Sequence, residues 1–148
     1  MSILASKSPE SIRNGADNAW HLSIWAAQIL LFIAYGSSGL MNSFLSVDSL
    51  MTIGMTHAAV LSRWALRFLG FSELAGAVGI ILPALTRIKP VFTPLAALGL
   101  TAIQVLAMGF HIARGEFAQM APINLFLLAL SLFVLWGRIR KAPIEPRL

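Results

Sequence analysis

The chain has 148 residues, of which 57% are hydrophobic and only 11% charged, with a formal net charge of +5 and no cysteine. That balance is far from the usual soluble domain, and the absence of cysteine excludes disulfides, thiol redox chemistry and cysteine-ligated iron–sulfur centres. The basic residues stand at the ends of apolar runs instead of forming a patch, so they read as topology signals and not as a nucleic-acid footprint.

Residues 1–20 include Lys7, Glu10, Arg13 and Asp17 and have no apolar core. They are expected to be a polar, frayed or surface-lying segment and not a signal peptide. Helix 1 is predicted over 21–43, about the twenty residues a bilayer core needs, with Trp20 and Trp25 suited to the interface at its start. Between helices 1 and 2, Asp48 to Met55 is expected to form a short amphipathic turn in the headgroup region. Helix 2 is predicted over 57–82, with Thr56 as N-cap and Pro83 near its end. A loop carrying Arg87 and Lys89 leads to helix 3 over 92–113, where Pro94 falls in the first turn and no amide donor is needed. Helix 4 is predicted over 122–136, followed by a tail with Arg138, Arg140, Lys141 and Arg147. The expected architecture is all-α: one domain, 1–148, folded as a four-helix transmembrane bundle with a short interfacial segment.

Four spans put both termini on one side. Lys7, Arg13, Arg87, Lys89, Arg138, Arg140, Lys141 and Arg147 fall there, against Arg63, Arg67 and Arg114 opposite. The positive-inside rule then places both termini in the cytoplasm, the expected location being the plasma (inner) membrane of a bacterium.

One residue breaks the apolar pattern. Glu73 lies inside helix 2, and an ionisable group there usually faces protein or water and marks function. Residues three, four and seven apart share a helix face, which puts Glu73 with Leu69, Gly70, Gly76, Ala77 and Ile80, a small-residue face that lets helices approach closely. Arg67 is six residues away and about 120° around the helix, so Glu73's partner should come from another helix. Helix 1 aligns Gln28, Tyr35, Ser38 and Asn42; helix 3 aligns Thr101, Gln104 and His111; helix 4 aligns Asn124 and Ser131. Glu73 is placed roughly 10 Å below the outer boundary, with Tyr35, Ser38 and Gln104 at its depth and Asn42, His111 and Asn124 in a shallower tier.

The candidate ligand-binding set is therefore Glu73, Tyr35, Ser38, Gln104, His111 and Asn124, with Glu73 and His111 as candidate catalytic groups. Each also has a plain reading. On it Glu73 holds helices together by hydrogen bonds alone, His111 is only a polar tip near the interface, and His21 and His57 are interfacial. Gln28 and Ser131 are read as helix–helix contacts. No metal site is expected, because Glu73 and His111 supply too few ligands. His21 and His111 fall at opposite ends, which disfavours a haem held between two histidines. No nucleotide loop, hydrolase motif or dinucleotide fingerprint is present.

The run from Arg67 through Glu73 to Arg87, with Thr93-Pro94-Leu95-Ala96-Ala97-Leu98-Gly99-Leu100, His111-Ile112-Ala113-Arg114-Gly115-Glu116 and Trp136-Gly137-Arg138, resembles the DoxX-like family of small four-helix membrane proteins. The resemblance covers all four predicted helices. Some relatives look like subunits of a thiosulfate:quinone oxidoreductase; others resemble receptor-assembly chaperones or parts of oxidative-stress complexes. The wider fold is similar to sterol- and lipid-binding four-helix proteins with a buried carboxylate. These are analogies of fold, and function must be argued from the site. One departure stands out. Relatives often end helix 1 with glycine followed by a lysine–leucine pair, whereas here Gly36-Ser37-Ser38-Gly39-Leu40 sets Gly39 in the lysine's place. If that lysine pairs with the glutamate in relatives, the pair is absent here, and Glu73 is left protonated or paired with His111.

Three readings follow. The first is an accessory subunit of a membrane complex that binds a quinone or lipid-like molecule, with Glu73 as polar anchor. The second is an assembly or structural partner, in a larger complex or a homo-oligomer, without ligand chemistry. The third is a membrane-embedded oxidoreductase or isomerase using Glu73 and His111 for proton transfer. A proton-coupled exporter ranks last, because such proteins carry the glutamate in the first helix. No cofactor is evident within the chain, and whether it is an enzyme stays open.

Overall fold

The computed structural model describes residues 9–147. Five helices follow one another, α1 (Pro9–Phe44), α2 (Val47–Thr52), α3 (Arg63–Thr86), α4 (Phe92–Ala113) and α5 (Phe117–Arg140), with a 3-10 turn at Thr56–Ala59 before α3. The segments Arg13–Phe44, Arg63–Thr86, Phe92–Ala113 and Phe117–Arg140 are each long and apolar enough to cross a membrane. The chain is thus an all-α four-helix bundle with a short helix lying between the first two spans.

The helices form a ring: α1 packs on α3, α3 on α4, α4 on α5, and α5 back on α1. Ile24, Leu31, Ile80, Leu100 and Val134 are fully buried at its centre. The outer surface is apolar too, with Phe68, Leu106 and Leu22 among the most exposed side chains, while Gln28, Asn42, Glu73, Gln104 and Ser131 lie inside. This is the distribution expected where hydrocarbon replaces water as the solvent and polar groups bond across helices.

Glycines set the helix spacing. A Cβ on Gly39 would lie 2.8 Å from the Gly70 carbonyl oxygen, and one on Gly70 would lie 2.7 Å from the Ser43 nitrogen. The backbones of α1 and α3 therefore touch here. Gly36, one turn earlier, is looser, its Cβ position standing 3.9 Å from Ala77 Cβ. On the far side of α3, Gly79 faces Ala96 of α4, and Gly137 of α5 receives the Ile24 side chain.

Helix ends differ from the sequence reading in instructive ways. Of the segment before 21, expected to be frayed or surface-lying, residues 1–8 lie outside the described residues; from Pro9 it is helical and not frayed, with residues 13–19 exposed. Pro9 needs no donor at a helix start, Glu10 suits the positive end of the helix dipole, and the span already supplies the nucleus that a helix needs. Thr56 does not cap α3. Its residues form the 3-10 turn, and Ser62 is the cap, its Oγ accepting from the Ala65 amide at 3.2 Å. Pro83 does not end α3, which continues to Thr86 and stops at Arg87 with φ 60°; leaving the helix earlier would strand more backbone groups than the proline does. The fourth span is longer than 122–136 at both ends, running from Phe117 to Arg140.

The two ends of the bundle have different characters. At the end bearing both termini, Trp20 stacks edge-on to Trp136 at 5.5 Å, Lys141 sits 5.4 Å from both rings, and the Arg147 amide donates to the Arg87 carbonyl at 3.0 Å. The opposite end carries the interfacial segment. There Ser46 caps α2, and Phe44, Ile53 and Val60 are exposed beside it, as suits a segment lying at a membrane surface.

Candidate functional site

Glu73 stands ten residues into α3, roughly 15 Å along its axis from Arg63, and it faces α1. Its two carboxylate oxygens each accept from Ser38 Oγ at 3.1 Å, and Oε2 accepts from Asn42 Nδ2 at 3.0 Å. Ser38 and Asn42 are four apart on α1 and so share a face. They reach the carboxylate because the Gly39–Gly70 contact brings the two helices together.

A second network completes the layer. The Tyr35 hydroxyl, one turn before Ser38, donates to Gln104 Oε1 of α4 at 2.8 Å, across the bundle diagonal. Gln104 Nε2 donates in turn to Asn124 Oδ1 of α5 at 2.8 Å. One polar layer thereby ties α1 to α3 and, through Gln104, α1 to α4 and α5. With the relay running in this direction the two ends of the Asn124 amide differ. Its oxygen is taken by Gln104, which leaves Asn124 Nδ2 as a donor. That nitrogen is buried, and among the described residues it has no partner. A buried donor without an acceptor costs about 1–3 kcal/mol, so such a group calls for an acceptor, ordered water included.

Asn42 is the junction of the site. Its Nδ2 serves Glu73, its Oδ1 contacts His57 Nε2 at 3.1 Å, and its backbone carbonyl accepts from Arg67 Nη1 at 2.6 Å. Because Oδ1 can only accept, His57 carries its proton on Nε2 and donates. Burial, and secondly the charge of nearby His111, hold the His57 ring below the ordinary histidine pKa of 6.5, so the ring is neutral at neutral pH. Arg67 also donates to the Leu45 carbonyl at 2.8 Å. It satisfies the free carbonyls at the end of α1 and leaves Glu73 alone, as the six-residue spacing implied.

His111 does not pair with Glu73, contrary to one of the expectations above. Its Nδ1 lies 3.6 Å from Glu116 Oε2, in the turn after α4. Arg114 holds the other oxygen of Glu116 through Nη2 at 2.7 Å and Nε at 3.1 Å. This contact keeps the Glu116 carboxyl below the usual carboxylate range. Nor can a lysine occupy position 39, since the α1–α3 contact has no room for a Cβ there. In this chain Ser38 and Asn42 take the place of a basic partner.

These groups surround a cavity of about 440 Å³ at the end of the bundle away from the termini. Tyr35, Ser38, Glu73, Gln104, His111 and Asn124 all reach its wall, joined by Asn42 and His57. Apolar residues make most of the remaining lining, with Phe68 of α3 and Leu106 of α4 highly exposed at the lipid side. The size and the few convergent polar groups are those of a small-molecule pocket. Among the described residues no three of His, Asp and Glu converge as metal ligands. The chemistry on offer is hydrogen bonding, from one amide donor without a partner among the described residues, one carboxylate and two histidines.

His57 and Asn42 extend the site beyond the six candidates. Asn42 was visible as a member of the α1 stripe. His57 was not, because a turn containing Gly54, with φ 87°, folds the loop back onto α1. At the other end of the bundle Gln28 is a helix–helix contact, as its place on the stripe implied. Its Nε2 donates to the Ile80 carbonyl, and its Oε1 accepts from Arg138 Nε at 2.8 Å and from Arg138 Nη2. Arg138 is buried, gives a further bond to the Ala142 carbonyl at 3.1 Å and lies 5.4 Å from the Trp25 ring centre. It is a structural cation and not merely a charge in a tail.

The profile of the DoxX-like family matches residues 26–134. No curated protein and no solved structure matches the chain. The matched region takes in all four spans except the ends of the first and last, and the chain belongs to the DoxX-like family. With four apolar helices it is an integral membrane protein residing in a lipid bilayer.

Proposed function

We propose that this DoxX-like protein binds a small lipophilic molecule with a polar head, of quinone or lipid type, in the cavity beside Glu73. It serves as a ligand-binding accessory subunit of a larger membrane complex. The observation that carries the reading is an otherwise mostly apolar cavity lined by Asn124, whose buried amide nitrogen has no hydrogen-bond partner among the described residues. A carbonyl or hydroxyl oxygen on the ligand head would satisfy it. Glu73 and the neutral His57 flank the same space, and the carboxylate anchors the α1 side through Ser38 and Asn42. The surplus of basic residues at the end bearing the termini favours cytoplasmic termini, which sets the cavity in the outer half of the plasma membrane of a bacterium.

The test is equilibrium binding of a benzoquinone to the purified protein in nanodiscs, with Asn124→Leu and Glu73→Gln as variants. Loss of binding by about tenfold or more in Asn124→Leu supports the reading. Unchanged binding in both variants overturns it.

A second reading rests on a specific observation. The Glu73 carboxylate is already engaged by two residues of α1, which is what a helix-locking residue does. On that reading the protein is an assembly partner, and Glu73 variants lose stability while their association with other membrane proteins persists as long as the bundle folds. Co-purification from native membranes, measured alongside melting temperature, separates the two.

A further inference from the structure

A second concavity runs along the lipid-facing side of the bundle between α3 and α4, with a volume of about 720 Å³. It extends from Ser72 to Pro83 on α3, roughly 16 Å, towards the end bearing the termini. Its floor is smooth because Gly76, Gly79 and Gly99 contribute no side chains. Ser72 and Ile103 line both this groove and the polar cavity, so the two lie side by side with only these side chains between them.

We propose that the groove holds the aliphatic tail of the molecule whose head occupies the cavity, so that the ligand is a single-tailed amphiphile entering sideways from the bilayer. This rests on the ligand-binding reading above and deepens it. The polarity is zoned as such a molecule requires. Asn124, whose amide nitrogen has no partner among the described residues, and the Glu73 carboxylate belong to the cavity, and beyond Ser72 every side chain lining the groove is apolar. A tail in hydrocarbon gains nothing from leaving water, so what the groove adds is close packing against a shaped surface. That contribution is modest, and it is lost if the groove is filled.

The experiment compares two probes, a decyl-substituted benzoquinone and the same headgroup without its tail, on wild-type protein and on Gly99→Phe and Ala75→Phe. A Cβ on Gly99 meets no atom within 4 Å, and Ala75 is exposed, so both variants fill the groove without parting the helices. Membrane partitioning of each probe is common to all three proteins and cancels. The expected result is about a tenfold loss of affinity for the decyl probe in either variant, with the tail-less probe unchanged. Equal behaviour of the two probes across all three proteins overturns the groove assignment, leaving it to ordinary bilayer chains, while the cavity reading stands. A variant that changes oligomeric state without a tail-specific loss also overturns it, by assigning the groove to a helix of a second copy or partner. Failure of both probes to bind wild type removes the cavity reading and the groove assignment together.

Discussion

The substitution Gly70→Ala tests the geometry on which the site depends. The added methyl would lie 2.5 Å from Ser43 Oγ and 2.7 Å from the Ser43 nitrogen. The hydroxyl can turn away, but the backbone nitrogen cannot. Ordinary contact begins near 3.5 Å, so α1 and α3 must part by roughly 0.8 Å. One turn along α3, that displacement lengthens the 3.0 and 3.1 Å bonds from Asn42 and Ser38 to Glu73 past useful hydrogen-bond distance. Overpacking costs about 1–3 kcal/mol, and losing bonds to a buried carboxylate costs a similar amount. The intrinsic helix preference of alanine over glycine returns only about 1 kcal/mol, so the net effect is a loss of about 2–4 kcal/mol. Gly36→Ala is the control on the same helix pair. Its methyl meets Ala77 Cβ at an ordinary 3.9 Å, and it should be neutral or slightly stabilising. Thermal unfolding in nanodiscs, followed by tryptophan fluorescence, reads both. If the two variants melt together, the α1–α3 contact is not as close as described, and the account of how Glu73 meets its partners fails with it.

Three further outcomes are expected. Glu73→Leu strands the Asn42 and Ser38 donors and should destabilise by about 1–3 kcal/mol, whereas Glu73→Gln, which still offers Asn42 an oxygen, should melt near wild type; the reverse order of melting temperatures would refute this. His57 is held below its ordinary pKa of 6.5, so the unfolded chain takes up the proton first as pH falls. Its contribution to stability is therefore present above 6.5 and lost between 6.5 and the lower native value, and His57→Asn should flatten the melting-temperature profile in that window. Arg138→Met leaves Gln28 Oε1 without its donors and frees the Ala142 carbonyl. Faster trypsin cleavage at Lys141 in the folded protein is the expected sign, and an unchanged digestion rate would show that Arg138 does not hold the segment.

The sequence carried the layer of polar groups because its signal was periodic. Tyr35, Ser38 and Asn42 repeat at three and four residues, and such spacing survives errors of several residues in the helix ends. Helix 3 was legible at both bounds, 92–113, because a polar, proline-bearing loop and the Arg114-Gly115 turn enclose it. The other ends were misjudged where local chemistry gave one answer and the bilayer another. Polar residues before 21 and Pro83 both read as helix stops. A long span nonetheless propagates into polar sequence at little cost and passes through proline to keep its backbone bonded. Of the two alternatives for Glu73, protonation or pairing with His111, the second is not seen, because depth along a helix does not decide which way a terminal side chain turns and His111 turns to Glu116, five residues on. His57 gave no periodic signal at all, since it sits in an aperiodic turn. Arg138 looked like one more topology charge, and only the buried Gln28 oxygen reveals its role.

Every polar atom of Asn42 other than its own amide is engaged: the carbonyl by Arg67, one side-chain end by Glu73 and the other by His57. The residue lies just before the segment that rests in the headgroup region, and His57 lies just after it. Both attachment points of that segment thus end on the same side chain. A displacement of that segment would therefore reach the carboxylate through a single side chain.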